Sequence, residues 1–240
     1  MTDNAMAAPD HEVLKAFYEA RPSEYGFASQ CKMTLLGDLT GKRVLDIDCR
    51  RGKGVIKLSA SVGPKGFALG VDPSPEWIEI AQSFKEESWR KNGLPHCNMD
   101  YAVAYPEDLA AAGIAEGSFD AVFANSSIAI DYDPERVVHE IFRALRPGGV
   151  FLFDGVVAEG ERDVATVEQA RALGNAIQAS PSRAEFERMV KDAGFFAPDY
   201  YEESEVRPET GYVDDYTVPV ADTTENVRFT RTTALVSKPR

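Results

Sequence analysis

The sequence predicts an α/β domain built on a mostly parallel sheet. Two observations carry this. From residue 43 to residue 154, apolar runs of strand length alternate with amphipathic runs of helix length, an order that implies right-handed crossovers between parallel strands. The stretch RVLDIDCRRGKG, from Arg43 to Gly54, reads as a short apolar strand, a tight loop and a helix start. In an open α/β sheet such a junction faces the crevice where ligands bind.

The elements follow in order. Residues 1–10 read as a loose tail. Residues 11–20 place Val13, Leu14, Phe17 and Tyr18 on one helical stripe, which Arg21 and Pro22 stop. A second short helix is expected over 27–38. Strand one covers 43–48, and a helix runs from Gly52 to Ser61. The turn GPKG leads into strand two, Phe67 to Asp72. Ser74 caps the next helix, with Pro75 at its first position and Glu76 in its first turn. Trp77, Ile78, Ile80, Ala81 and Phe84 are its packing residues. A third strand is expected near 99–103, a fourth from Phe119 to Asn125, a helix over 134–145, and a fifth strand from Val150 to Asp154. Beyond 154 the rhythm changes. Residues 163–178 are helical but polar, suited to covering a cleft. Ser182 and Glu185 form a capping box for a helix over 182–193. Residues 198–206 and 227–237 read as an antiparallel edge pair, joined by an acidic loop from Thr210 to Glu225.

Composition narrows the function. Hydrophobic content of 44% supports a sizeable core, and the net charge of −13 repels phosphate backbones. From Asn92 through Glu135 there are eight acidic residues and no Lys or Arg. No nucleic-acid partner is expected. That acidic stretch is either a solvated surface or, if it lines a cleft, a preference for a cationic ligand. No apolar run is long enough to span a bilayer, so no membrane partner is expected. Cys31, Cys49 and Cys97 lack metal-site spacing, so no metal site is expected. Free thiols without a visible leader point to a reducing, cytoplasmic setting.

Carboxylates close the predicted strands: Asp46 and Asp48 on the first, Asp72 on the second, Asp154 on the fifth. Asp72 is positioned to accept both hydroxyls of a ribose, or else to stabilise the helix that follows. Gly52 and Gly54 permit close backbone approach. Neither the dinucleotide fingerprint nor the nucleotide-phosphate loop is present, so a pyrophosphate has no cradle. An adenosine-containing ligand without phosphates fits better. Asp108, with Glu107, follows strand three and could accept from an adenine amino group, or could be a solvated loop. Asn125 and Ser126 face the same crevice from strand four.

Together these residues resemble the class I S-adenosylmethionine-dependent methyltransferases. The landmarks are Val44 to Asp46, Gly52, Asp72, Phe119 to Val122, and Leu145 to Gly149. Within that class the chain is most similar to the arsenite methyltransferase branch, through residues 62–66, 125–130, 134–149, 154–158, 173–176 and 226–229. The resemblance implies a Rossmann-like sheet of seven strands, order 3-2-1-4-5-7-6, strand seven antiparallel, with helices on both faces. It implies one domain over 1–240: a helical cap at 1–40, a cofactor core at 41–155, and acceptor-side helices and terminal strands at 156–240. S-adenosylmethionine would be the cofactor, with Asp46 and the loop to Gly52 on its methionine part, Asp72 on the ribose and Asp108 by the adenine. The acceptor would be a small molecule. Two departures stand out. The arsenic enzymes hold substrate through cysteines where this chain has Ser126 and Ala172, and a hydroxyl poorly replaces a thiolate on As(III). Asp48 and Arg50 stand where the class has glycines, so the loop is expected to clash with ligand or swing outward unless Asp48 meets the cofactor's ammonium or sulfonium and Arg50 its carboxylate.

Methyl transfer would be an in-line displacement in which the protein chiefly aligns the partners. Candidate general bases are His139, Asp154, Asp131 and Tyr18. Two other readings stay open: a non-catalytic or regulatory protein on the same fold, and a non-methylating reaction on that scaffold.

Overall fold

The computed structural model describes residues 7–21, 33–207 and 220–240. A seven-stranded sheet runs in the order β3-β2-β1-β4-β5-β7-β6. The strands are β1 (Arg43–Ile47), β2 (Phe67–Asp72), β3 (Met99–Val103), β4 (Phe119–Asn125), β5 (Leu145–Glu159), β6 (Asp199–Val206) and β7 (Arg228–Ser237). The first five pair in parallel, and β7 is antiparallel to both β5 and β6. The helices are α1 (His11–Ala20), α2 (Lys53–Val62), α3 (Pro75–Lys91), α4 (Pro134–Ala144), α5 (Val164–Ala172) and α6 (Arg183–Asp192).

Alternation along the strands explains both cores. Val44, Ala68, Ala121, Phe123 and Leu152 pack under α2 and α3. Their neighbours Leu45, Ile47, Val122, Phe151 and Phe153 pack under α4 and α6 on the opposite face. Full burial of each Val, Leu, Ile or Phe among them contributes about 1.5–3 kcal/mol. The α2–α3 columns end in polar residues at the carboxyl ends of the strands: Asp46 on β1, Asp72 on β2, Asn125 on β4 and Asp154 on β5. Asp154 is paired in register with Asn125.

Several expectations change. Residues 33–38 are not helical, and the rest of the helix expected over 27–38 lies outside the described residues. The fifth strand continues to Glu159, because β7 pairs with it from Val150 to Glu159. Helix α5 ends at Ala172, and residues 175–179 are buried beyond it. They pack with Ile130, Ala170 and Ala221, or with Val156 and Phe229, so this segment does fill a core. Val13 and Phe84 are exposed although helical spacing put them on packing stripes. The acidic loop from Thr210 lies outside the described residues up to residue 219. No described helix is long and apolar enough to cross a membrane.

Candidate functional site

The β1–α2 loop holds the first part of the site. Its backbone is left-handed at Asp48 (φ 53°), Arg50 (φ 49°) and Gly52 (φ 79°). The loop therefore keeps the turn that glycines would make, and does not swing outward. Gly52 is required on two counts. Its φ suits glycine, and an added Cβ would lie 2.6 Å from the Tyr101 ring. At Gly54 a Cβ would sit 2.4 Å from Asp46 Oδ2, so that carboxyl lies directly beneath the start of α2. Burial, and then the charge of Asp72, push Asp46 up to about 8.

Asp72 is nearly fully buried, and backbone N–H groups hold it. Arg50 N–H donates to Oδ2 and Ser74 N–H to Oδ1, each at 2.9 Å. Burial raises its pKa, while those two N–H groups pull it back. Each oxygen keeps lone-pair capacity for a further donor. Beside it lies a cavity of about 390 Å³, lined by Asp72, Trp77, Tyr105 and Asp108 from the sheet side and by His11 and Tyr18 from α1. The Arg50 and Arg51 guanidinium groups lie 4.9 and 4.4 Å from the centre of the Trp77 ring.

Asp108 does not present an open carboxylate to the cavity. Its Oδ2 is 2.8 Å from His11 Nε2, and its Oδ1 accepts from Ala111 N–H at 3.1 Å. Helix α1 thus covers this end of the crevice.

Deeper in, α1 meets a group of carboxyls. The Tyr18 hydroxyl donates to Glu107 at 2.8 Å and lies 3.3 Å from Asp131 Oδ1. Arg21 donates to the Ile130 carbonyl and sits 3.4 Å from Asp131. Burial, then Asp131, push Glu107 up to about 7. Burial raises Asp131 to about 6 against the pull of Arg21. Asp48 is raised well above the carboxylate range by burial, then by Asp131 and Asp72. The Tyr18 hydroxyl is raised too, chiefly by burial.

The remaining predicted residues divide. Asp154 is fully buried and its Oδ2 accepts from Thr34 N–H at 3.1 Å. Asn125 accepts from the Ser126 hydroxyl at 3.3 Å. His139 is half-buried on α4, on the far face of the sheet, and does not line the cavity. Helical placement beside Val138, which packs in the α4 core, explains its position. Among the described residues no three His, Cys, Asp or Glu side chains are arranged to hold a metal ion. Sequence reading gave Arg21 only a helix-stopping role and Trp77 only a packing role. Two arginines at positions 50 and 51 were the available signal for the second.

Comparison with known proteins matches residues 38–194 to the methyltransferase domain family. The chain belongs to that family. It is related to the arsenite methyltransferase-like branch. It is 29% identical over 177 residues to an arsenite methyltransferase of Aquipseudomonas alcaligenes, covering 73% of this chain and 50% of that one. A demethylmenaquinone methyltransferase of Lactococcus lactis is 38% identical over 117 residues, covering 49% of this chain and 43% of the relative. The chain thus spans about half the length of these curated relatives. Among solved structures, an arsenic(III) S-adenosylmethionine methyltransferase from Chlamydomonas reinhardtii superposes with a TM-score of 0.75 and 26% identity, covering 97% of this chain and 75% of the other. Fold and family are those of proteins that use S-adenosylmethionine. The residues present fit the nucleoside half of that cofactor: Asp72 is a buried carboxyl, held by two backbone N–H groups, that borders the cavity.

Proposed function

We propose that this protein transfers a methyl group from S-adenosylmethionine to a small organic acceptor. The observation that carries the reading is Asp72. It closes β2, is fixed by two backbone N–H groups, and opens onto the cavity. Bound there, the cofactor would supply an electrophilic methyl. Asp72 would accept the ribose hydroxyls, and Trp77 and Tyr105 would flank the base. Asp46, Asp48, Arg50 and Gly52 would meet the methionine part, with Asn125 beside them. Asp108 would turn to the adenine only on exchanging His11. Asp154, buried next to Asn125 at the acceptor side, is the preferred proton acceptor. His139, on the opposite face, is set aside from that role. Residues 1–40 would act as the cap and 156–240 as the acceptor-side wall.

We take arsenite to be excluded as substrate. On the resemblance, Ser126 and Ala172 would stand where arsenic enzymes carry their substrate cysteines. Of the remaining thiols in the described residues, Cys49 is buried in the loop and its thiol is pushed up by burial. Cys97 is exposed ahead of β3, at the amino end of the strands. As(III) needs converging soft thiolates.

Calorimetry with S-adenosylmethionine and S-adenosylhomocysteine tests the cofactor, and transfer of a labelled methyl to a panel of small acceptors tests the reaction. Failure of both ligands to bind at millimolar concentration would sink the reading. Thiol-dependent methylation of arsenite would overturn the substrate exclusion.

A further inference from the structure

Three polar residues stand in one row across the carboxyl end of the sheet. Asn125 on β4 is paired in register with Asp154 on β5, and Asp154 with Thr233 on β7. Strand neighbours paired in register share a face and lie about 4.5–5.5 Å apart. Two residues back along each strand the same row is apolar: Phe123, Leu152 and Leu235 belong to the core under α2 and α3. The polar row therefore starts where that core ends. Asp154 and Thr233 are 0% and 1% exposed, while Asn125 is half-buried and opens the row toward the crevice. Over Asp154 lies the irregular stretch that leads into β1. Thr34 N–H donates to Asp154 Oδ2, and the Met33 carbonyl accepts from Lys57 on α2 at 2.6 Å.

The two buried members of the row point to a ligand. Asp154 Oδ1 and the Thr233 hydroxyl have no hydrogen-bond partner, and no Lys, Arg or His among the described residues pairs with Asp154. Buried polar groups are normally satisfied, and a buried carboxylate without a cation is costly. The cations around the crevice are directed elsewhere. Arg21 meets Asp131 and the Ile130 carbonyl, Arg171 the Ala129 carbonyl, and Lys57 the Met33 carbonyl. The row calls for a ligand rich in donors. Asp154 Oδ1 accepts, the Thr233 hydroxyl has two lone pairs, and Asn125 Oδ1 keeps capacity beyond the bond it takes from Ser126. A protonated amine brings three N–H donors and a positive charge, whereas an alcohol brings one donor and leaves the carboxylate without a counter-charge. A carboxylate or phosphate would be repelled. The field of the chain, at net charge −13, favours a cation as well.

We propose that Asp154, Thr233 and Asn125 form the acceptor subsite, and that the acceptor is a small amine methylated on nitrogen. The proposal rests on the methyl-transfer reading of this site and names its substrate class. The ammonium docks on Asp154 Oδ1 and the Thr233 hydroxyl, with Asn125 beside it. Asp154 Oδ1 takes one N–H proton. The freed nitrogen lone pair forms the new N–C bond as the methyl–sulfur bond of S-adenosylmethionine breaks, and that electron pair stays on sulfur. The product leaves as an N-methylammonium, and Asp154 returns its proton to solvent.

The test is calorimetry on the full chain saturated with S-adenosylhomocysteine. The probes are ethylamine, benzylamine and phenethylamine, each against the alcohol of the same skeleton. The best-bound amine should exceed its alcohol by about tenfold or more. Asp154→Asn should lower amine affinity about 10–100-fold and erase that preference, and Thr233→Val should lower it about fivefold, with S-adenosylhomocysteine affinity kept within about threefold in both. Labelled methyl should then appear on the nitrogen of the best-bound amine. Amines that bind no better than alcohols would overturn the proposal. So would an amine preference that survives Asp154→Asn, or methyl transfer to phenols or thiols but not to amines. In each case the methyl-transfer reading would stand. If S-adenosylhomocysteine does not bind, reading and proposal fall together. Should thermal melts show that Asp154→Asn does not fold, Thr233→Val and the amine–alcohol comparison decide in its place.

Discussion

Replacing Asp48 by Gly should make the protein more stable. Three quantities decide the sign. Asp48 holds φ 53°, a left-handed conformation that costs an L-residue about 1–2 kcal/mol, less for Asp than for most. Its carboxyl is buried beside Asp131 and Asp72, a desolvation that costs about 1–3 kcal/mol. Against this, glycine loses more backbone freedom on folding, about 0.5–1 kcal/mol. The balance is a gain of about 1–3 kcal/mol, or roughly 2–12 °C in Tm for a chain of this size. Asp48→Asn separates the contributions, since Asn tolerates the left-handed region and replaces only the titratable carboxyl. The assay is chemical denaturation of both variants at pH 7.5, with m-values checked for constancy. A destabilised Asp48→Gly would refute the reasoning and show that the carboxyl is held by interactions worth more than its strain and burial. A stabilised variant that has lost donor affinity would mark Asp48 as a residue kept for function at the expense of stability.

Three further outcomes are expected. Asp46, Glu107 and Asp131 are all raised in the folded state, to about 8, 7 and 6. Such groups bind protons more tightly folded than unfolded, so stability falls as pH rises from about 4 to 8. Asp46→Asn should flatten the upper part of that fall, and an unchanged Tm-versus-pH slope between pH 6 and 9 would contradict it. Gly52→Ala should cost about 2 kcal/mol or more, from its left-handed φ and the collision with Tyr101; a denaturation midpoint within error of the parent would show that the loop yields. Asp72→Ala should reduce S-adenosylmethionine affinity at least tenfold while Asp154→Ala leaves that affinity within about threefold; calorimetry on both decides whether the ribose contact is placed correctly.

Strand and helix positions were legible because burial writes a period into the sequence. Val44, Ala68, Phe123 and Leu152 on one face, and Leu45, Val122 and Phe151 on the other, are simple alternation. Caps were equally local: the Ser74 and Ser182 side chains accept from Trp77 and Glu185 N–H as their spacing requires. Local signals did not set the length of β5, which depends on pairing with a strand about 80 residues later. Nor could helical spacing show that Phe84 points away from the sheet.

The site divides in the same way. By itself the sequence determined that Asp46, Asp72, Asn125 and Asp154 gather at one edge, because each ends a strand of a parallel sheet. It also marked Asp48 and Arg50 as anomalies in a glycine loop. Only the tertiary structure decided what the anomaly means. The loop keeps its left-handed turn, and Asp48 meets Asp131 from beyond β4 while Arg21 arrives from α1, 27 residues earlier in the chain. The physical reason is range: backbone periodicity is fixed by neighbours a few residues apart, whereas the state of a buried carboxyl depends on charges that the fold brings together from distant parts of the chain.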